Sequence, residues 1–246
     1  MFEGFKNSFI GRLLGTCLRK AKAFGHWYVG LYKGRRWYVK TLSAIVSLII
    51  AFILYLGMVD INFLWLFGKS PGFSQIKNPS TSEASEIYSA DSVLIGKFFS
   101  ENRTPVKYED VNPVFWKALI DTEDERFYKH RGIDFYGMFA VLKDVIVSHE
   151  ARGASTITQQ LAKNMFRVRT QYSTGLLGYI PGIRILIMKS KEWIIATKLE
   201  MLYDKKDILT MYANTVDFGS NAYGIKTACK TYFGTTPAKI TAEQAA

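Results

Sequence analysis

Glu123-Asp124-Glu125-Arg126-Phe127-Tyr128-Lys129-His130-Arg131-Gly132 and Gly153-Ala154-Ser155-Thr156-Ile157-Thr158-Gln159-Gln160-Leu161-Ala162-Lys163-Asn164 decide the reading of this chain. The first stretch puts acid, base and imidazole at what reads as the end of an apolar helix carrying Phe115, Trp116, Leu119 and Ile120. Carboxylates there face the negative end of the helix dipole, which is locally unfavourable. The plain account is a solvated helix end partnered by Arg126, Lys129 and Arg131. The functional account is a site that needs Glu123 and Asp124 where they stand. His130 alone reads as structural, beside the Gly132 backbone. The second stretch reads as a helix capped by Ser155 and running from Thr156 to about Phe166. Thr156, Gln159, Gln160 and Lys163 form one polar stripe on it, and Ile157 and Leu161 an apolar one. The stripe begins at a helix N-terminus, where free N–H groups attract anions. It can be an ordinary solvated face, but two adjacent glutamines and several hydroxyls with a single charge are unusual for one.

Around these stretches the pattern is helical. Asn112-Pro113 is a cap followed by proline at the first helical position, and predicts a helix to about Asp124. Asp134 caps another through about His149. Met188 to about Leu202 predicts a fourth, on which Lys189 and Glu192 are an i, i+3 pair. As a surface salt bridge that pair is worth roughly a few tenths of a kcal/mol. Asp204 starts a fifth that reaches Asn214. Gly175 to Met188 is apolar, broken by glycines and Pro181, with Arg184 as its one charge. It is too short and interrupted to span a bilayer, and fills either a core crevice or an interface. Upstream, Glu86 to Phe99 reads as a hairpin around Ala90-Asp91-Ser92. The Ser- and Pro-rich stretch 69–84 reads as a linker. Thr241 to Ala246 reads as a capped helix start with no helix after it, as in a truncated domain.

From Thr41 to Met58 there is no charged residue. That length rises about 27 Å as a helix, close to the hydrocarbon thickness of a bilayer. Trp37, Tyr38, Phe63 and Trp65 suit its two interfaces. About 40 residues precede it and no small-residue cleavage site follows, so a retained anchor is expected rather than a signal peptide. Residues 1–40 hold nine Lys and Arg against one acid, Glu3, a net +8 out of +11 for the chain. Basic residues before a first span keep the N-terminus cytoplasmic. Phe5, Phe9, Ile10, Leu13, Leu14 and Leu18 interleave them, as in an amphipathic helix on an anionic leaflet. No nucleic-acid motif is present. Cys17 and Cys229 fall on opposite sides of the expected membrane, so neither a disulfide framework nor a cysteine metal site is readable.

These residues place the chain beside a known family. It resembles the peptidoglycan glycosyltransferases of glycosyltransferase family 51, which comprise monofunctional transglycosylases and the N-terminal halves of class A penicillin-binding proteins. Glu123, Asp124, Phe127, His130 and Gly132 match its EDxxFxxHxG motif. Gly153 to Asn164 matches GxSTITQQLxKN throughout. Lys189 and Glu192 match RKxxE, with Met188 where arginine is usual. Lys206, Ile208, Leu209, Tyr212 and Asn214 match the KxxIL and YxN elements, with Thr210 where an acid is usual. Asn221 to Ile225 and Tyr232-Phe233-Gly234 are also similar. The stretch between the second and third motifs is longer than usual, and Arg167, Arg169 and Arg184 are the candidates for the missing arginine's part.

The resemblance implies a mainly α fold: a lysozyme-like helical glycosyltransferase domain with a short β hairpin, preceded by one transmembrane helix. The expected division is a basic cytoplasmic segment (1–40), an anchor with its interfacial exit (41–67), a linker (68–84) and a glycosyltransferase domain (85–246) truncated at its C-terminal end. The implied activity is polymerisation of lipid II into β-1,4 glycan strands, with inversion and release of polyprenyl pyrophosphate. It assigns catalysis to Glu123 and Glu192. Substrate binding falls to Asp124, Phe127, His130, Ser155, Thr156, Gln159, Gln160, Lys163, Asn164 and Lys189. Glu123, in a partly apolar pocket, is the expected general base. No metal ligand set is assigned and no cofactor is required; a divalent Mg or Mn ion held at the pyrophosphate by Glu192 is compatible with the chemistry. The implied partners are lipid II, the growing strand, the membrane and other cell-wall synthesis proteins. The implied location is the bacterial cytoplasmic membrane, single-pass, with the catalytic domain outside. Two other readings stay open: a non-catalytic wall-assembly scaffold or inactive fragment, and a glycan hydrolase.

Overall fold

The computed structural model of the chain describes residues 9–79, 85–91, 94–98, 104–148, 153, 155–170, 172 and 174–246. It divides into two compact units, residues 1–55 and 56–246. The first holds helix α1 (Phe9–Tyr32) and most of helix α2 (Trp37–Asp60). α2 extends the expected span by a turn at its start and ends on Asp60. An 18-residue stretch of it has a mean hydropathy of 2.6, and it is the one helix among the described residues long and apolar enough to cross a membrane. Its apolar side chains, such as Leu48, Ile53 and Leu54, are exposed. A helix with that exposed apolar surface is stable in lipid rather than in water. Within this unit Tyr28 donates from its hydroxyl to Ser47 Oγ at 2.6 Å.

Among its described residues the second unit is mainly helical, with one two-stranded antiparallel hairpin, β1 (Ser85–Tyr88) with β2 (Leu94–Phe98), and an isolated bridge between Asp217 and Tyr223. Its helices are α3 (Phe73–Lys77), α4 (Pro113–Glu123), α5 (Phe135–Ser148), α6 (Ile157–Met165), α7 (Pro181–Leu202), α8 (Lys205–Thr215), α9 (Ile225–Phe233) and α10 (Ala242–Ala245). The mainly α architecture with one hairpin is therefore as expected. α6 packs on both α7 and α8. Ile157 and Leu161 of α6 meet Ile195 and Leu199 of α7 and Ile208 and Leu209 of α8 in one buried cluster, which also takes Phe115, Trp116 and Phe127. Burying a large side chain of this kind stabilises by roughly 1.5–3 kcal/mol. Cys229 is a buried free thiol in the same cluster. The local signals act where they stand. Asn112 accepts from Val114 N at 3.1 Å as the N-cap of α4, and Asp204 accepts from Asp207 N at 2.8 Å as that of α8. Asn112 also donates from Nδ2 to Ile240 O at 3.1 Å, tying the C-terminal segment to α4. Asn214 pairs with both backbone groups of Val106, at 2.9 Å each.

Two stretches differ from expectation. Gly175 to Met188 is helical for most of its length and does not fill a core crevice throughout: Leu176, Tyr179, Ile185 and Leu186 are exposed. Residues 176–179 form a 3-10 turn, and α7 then starts at Pro181, about two turns before Met188. Proline at the first helical position needs no N–H and brings a helical φ, so the residue that reads as a breaker is the initiator. Arg184 is consequently exposed in the first turns of α7. Part of the expected linker is also structured. α3 packs on α7 with Ile76 fully buried, while residues 80–84 lie outside the described residues.

The chain from Asp60 to Lys77 is held along α7 by polar contacts. Lys198 pairs with Asp60 at 2.6 Å, and the Tyr203 hydroxyl donates to Lys77 O at 2.7 Å. Lys191, fully buried, donates from Nζ to the carbonyls of Gly68 (3.1 Å) and Lys69 (2.7 Å). Burial pushes the Lys191 pKa down to about 8. Below that pH the folded and unfolded states both carry the proton, and the full cost of burying the charge is present. Between about 8 and 10.5 the unfolded state holds more protons, so this group's contribution to stability rises with pH. Thermal melts of wild type and Lys191→Met at pH 7.5 and pH 10 are expected to differ in that sense, with wild type gaining on the order of 2 kcal/mol relative to the variant at the higher pH.

Candidate active site

Glu123 is the last residue of α4, and its side chain is exposed. It borders two cavities. One, of about 320 Å³, is lined by Glu123, Asp124, Asp134, Asp144, Ser155 and Thr156 among others. The other, of about 660 Å³, is lined by Glu123, Gln160, Lys163, Asn164, Arg167 and Tyr212 among others. Gln160 donates from Nε2 to Glu123 Oε2 at 2.7 Å. Oε1 has no hydrogen bond among the described residues. The carboxylate is open on two sides: the smaller cavity is partly apolar, with Ala140 and Val141 in its lining, and the larger is more polar.

What holds Glu123 there is its neighbour. Asp124 is buried, and its Oδ2 accepts from the backbone N–H of Ile157, the first residue of α6, at 3.0 Å. Both Asp124 oxygens lie 3.0 Å from His130 Nε2. The N-terminus that reads as a free anion site is therefore partly filled by the protein's own carboxylate. A carboxylate at a helix start is favoured by both the N–H and the dipole. Asp124 thereby locks the end of α4 to the start of α6.

The cap of α6 is Thr156 rather than Ser155. Its Oγ1 accepts from Gln159 N at 3.2 Å and donates to Gly132 O at 2.7 Å. Gln159 donates from Nε2 to the same carbonyl at 3.2 Å. Phe127 is fully buried, with Lys205 Nζ 4.2 Å from its ring centre. Lys205 also donates to His130 O at 2.9 Å and Glu200 Oε1 at 2.8 Å. Phe127, His130 and Gln159 line neither cavity. They support the segment that follows Glu123, through Asp124 and the Gly132 carbonyl. Thr156 and Asp124 border the smaller cavity, but both are buried and committed to internal bonds.

Gly132 makes this arrangement fit. Its φ is +85°, and a Cβ there would stand 2.9 Å from the Ala196 carbonyl oxygen of α7. Gly132→Ala is expected to cost about 2–3 kcal/mol from the left-handed backbone and the clash together. A lowered melting temperature with reduced activity checks it, because the Gly132 carbonyl serves both Thr156 and Gln159.

The third group lies on α7. Glu192 is 1% exposed. Lys189 Nζ reaches Glu192 Oε2 at 3.0 Å and Ser155 Oγ at 2.8 Å. Arg169 Nε reaches Glu192 Oε1 at 2.9 Å. So Arg169, from the chain after α6, supplies a cation beside the position where Met188 does not. Arg167 lines the larger cavity beside Lys163, and Arg184 makes no ion pair among the described residues. Both Glu192 oxygens are bridged by cations, Lys189 and Arg169, and no group of three His, Cys, Asp or Glu side chains placed to hold a metal ion is found among the described residues. Tyr212, matched in sequence without a role, turns out to line the cavity next to Gln160. Its YxN element was the only signal that could have found it.

A protein-family model described as "Transglycosylase" matches residues 91–246. The chain is 37% identical over 177 residues to penicillin-binding protein 1A of Escherichia coli (strain K12), covering 72% of this chain and 19% of that protein. It is 34% identical over 192 residues to penicillin-binding protein 1A of Haemophilus influenzae, covering 78% and 20%. It is 32% identical over 211 residues to that of Aquifex aeolicus, covering 84% and 26%. The chain spans about a fifth to a quarter of the length of these curated relatives.

Proposed function

Since the chain belongs to the peptidoglycan transglycosylase family, we propose that it is a membrane-anchored glycosyltransferase that polymerises lipid II into β-1,4 glycan strands. The carrying observation is Glu123 itself. It is exposed between two cavities, is hydrogen-bonded on one oxygen, and has Lys163 and Arg167 on one side and Ser155 on the other.

In the proposed reaction the donor is a glycan strand α-linked to a polyprenyl pyrophosphate, and the acceptor is lipid II. Glu123 takes the proton of the acceptor 4-hydroxyl as that oxygen bonds to the donor anomeric carbon. The bond from that carbon to the pyrophosphate oxygen breaks on the opposite face, and its electron pair leaves with the pyrophosphate. The new link is β. Proton removal by a positioned carboxylate contributes roughly 10²- to 10⁴-fold. Charge grows on the leaving pyrophosphate, so cations beside it stabilise the transition state more than the ground state. Lys163 and Arg167 on the larger cavity, Arg126 on the smaller, and the Lys189–Arg169 pair around Glu192 are cations available among the described residues. No step runs through a metal ion. The basic N-terminal segment and α2 support a cytoplasmic N-terminus with the second unit outside the membrane, where lipid-borne substrates present their sugars.

The test is to supply labelled lipid II to the purified chain in detergent. Long strands with release of polyprenyl pyrophosphate are expected. Bound lipid II without strands would instead make the protein a scaffold, and shortening of preformed glycan would make it a hydrolase.

A further inference from the structure

We infer that Tyr212 is a positioning residue for the general base, acting through the Gln160 amide; the inference rests on the transferase reading above. Three elements contribute. Glu123 ends α4, Gln160 lies on α6 and Tyr212 on α8. Tyr212 OH is 3.1 Å from Gln160 Oε1, and Gln160 Nε2 is 2.7 Å from Glu123 Oε2. All three side chains border the larger cavity.

Chemistry gives this line its direction. A carboxylate only accepts hydrogen bonds, and the glutamine amide donates only through nitrogen. Gln160 must therefore turn its –NH₂ to Glu123, which leaves its oxygen facing Tyr212. The phenol fills that oxygen as a donor. Tyr212 is itself almost wholly buried. Burial, and then the Glu123 charge, push its pKa up. It stays a protonated donor across any working pH.

The consequence is orientation. Gln160 is held at its far end by a buried group on another helix, so its –NH₂ is fixed where Glu123 Oε2 sits. Oε1 is then the oxygen left for the acceptor hydroxyl. Without the phenol, the amide can rotate or turn over. Turned over, it would present oxygen to a carboxylate, so Glu123 would swing away. A Glu123 side chain on an exposed helix end has little else to hold it: its only hydrogen bond among the described residues is to Gln160. Geometry of this kind matters most to the chemical step, because a small misplacement of a base costs rate rather than binding.

The inference predicts coupling, not just loss. Tyr212→Phe keeps the ring and removes one oxygen. Gln160→Met keeps the length and removes the amide. In lipid II polymerisation, Tyr212→Phe is expected to lower kcat about tenfold with KM within twofold, and Gln160→Met about thirtyfold. The double variant should match Gln160→Met alone, because Tyr212 has nothing to act through once the amide is gone. A structural role for the phenol would give multiplied losses in the double variant, and that result would overturn the inference. So would a raised KM with unchanged kcat in Tyr212→Phe. Melting temperatures of all three variants separate lost folding from lost orientation. Wild type and Glu123→Gln are assayed beside them. Strands that vanish in Glu123→Gln while Tyr212 and Gln160 multiply would remove the relay and leave the transferase reading standing. No strands from wild type would remove both.

Discussion

Glu123→Gln is expected to lower the rate of strand formation by about 10³-fold or more, while lipid II binding changes less than threefold. The substitution keeps the side chain's size and its ability to accept from Gln160, so the cleft should retain its shape. What it removes is the one carboxylate among the described residues that borders both cavities. General base catalysis contributes about 10²- to 10⁴-fold, and the top of that range applies where the nucleophile is a sugar hydroxyl of high pKa. A loss confined to kcat identifies an interaction made only in the transition state. Rates of labelled lipid II consumption and direct lipid II binding, measured on one preparation, separate the two quantities. If Glu123→Gln polymerised within tenfold of wild type, the base would be another group. Asp124 is the obvious rival by sequence, but its oxygens are taken by Ile157 N–H and His130 in the interior. The adjacent carboxylates of this motif therefore divide the work: one faces the cleft, and the other fastens the helix end that carries it.

That division shows where sequence reading succeeds and where it stops. Short-range signals translate directly. Asn112-Pro113 and Asp204 start their helices, Thr241 forms a capping box with Gln244, and the uncharged run after Thr41 becomes one long helix. The caps depend on residues within a turn of one another, and the long helix on one contiguous run. The site depends on contacts across the fold. Nothing local says that the Asp124 carboxylate will occupy the first N–H of α6, thirty-three residues on, and so the second motif reads as an open anion cradle. The same blindness makes Thr156 and Gln159 look like a solvent-facing stripe, when both are turned to the Gly132 carbonyl. Gln160 and Lys163, on the same helix, do face the larger cavity. Periodicity locates a face but not what covers it. Pro181 fails for another reason: a proline inside an apolar run can end one helix or begin the next, and only the packing of α7 decides. Arg169 was one of three arginines the sequence left open, and its pairing with Glu192 depends on how the chain after α6 returns to α7.

Glu192→Gln is the second change with a large expected effect, about 10²- to 10³-fold in rate. Glu192 lies buried between two cations, Arg169 at 2.9 Å and Lys189 at 3.0 Å. Its charge lets them sit close together beside Ser155 without repelling one another. Removal of one partner from a buried ion pair commonly costs about 3–5 kcal/mol. Here the Arg169 side chain is 56% exposed and that of Lys189 30%, so both can retreat into water. The stability cost should therefore be nearer about 1–2 kcal/mol. In the proposed reaction the same retreat is what damages catalysis: Lys189 leaves Ser155, and the cation proposed to meet the departing pyrophosphate is no longer held in place. A preorganised charge costs no reorganisation as the transition state forms, whereas a mobile one does. The expected result is a large fall in kcat with a modest drop in melting temperature, measured on the same protein. An activity within threefold of wild type would show that the buried carboxylate serves folding alone. Chelator treatment separates the remaining possibility. If EDTA lowered the wild-type rate but left that of Glu192→Gln unchanged, Glu192 would be holding a divalent ion, and the assignment of its two oxygens to Lys189 and Arg169 during turnover would fail.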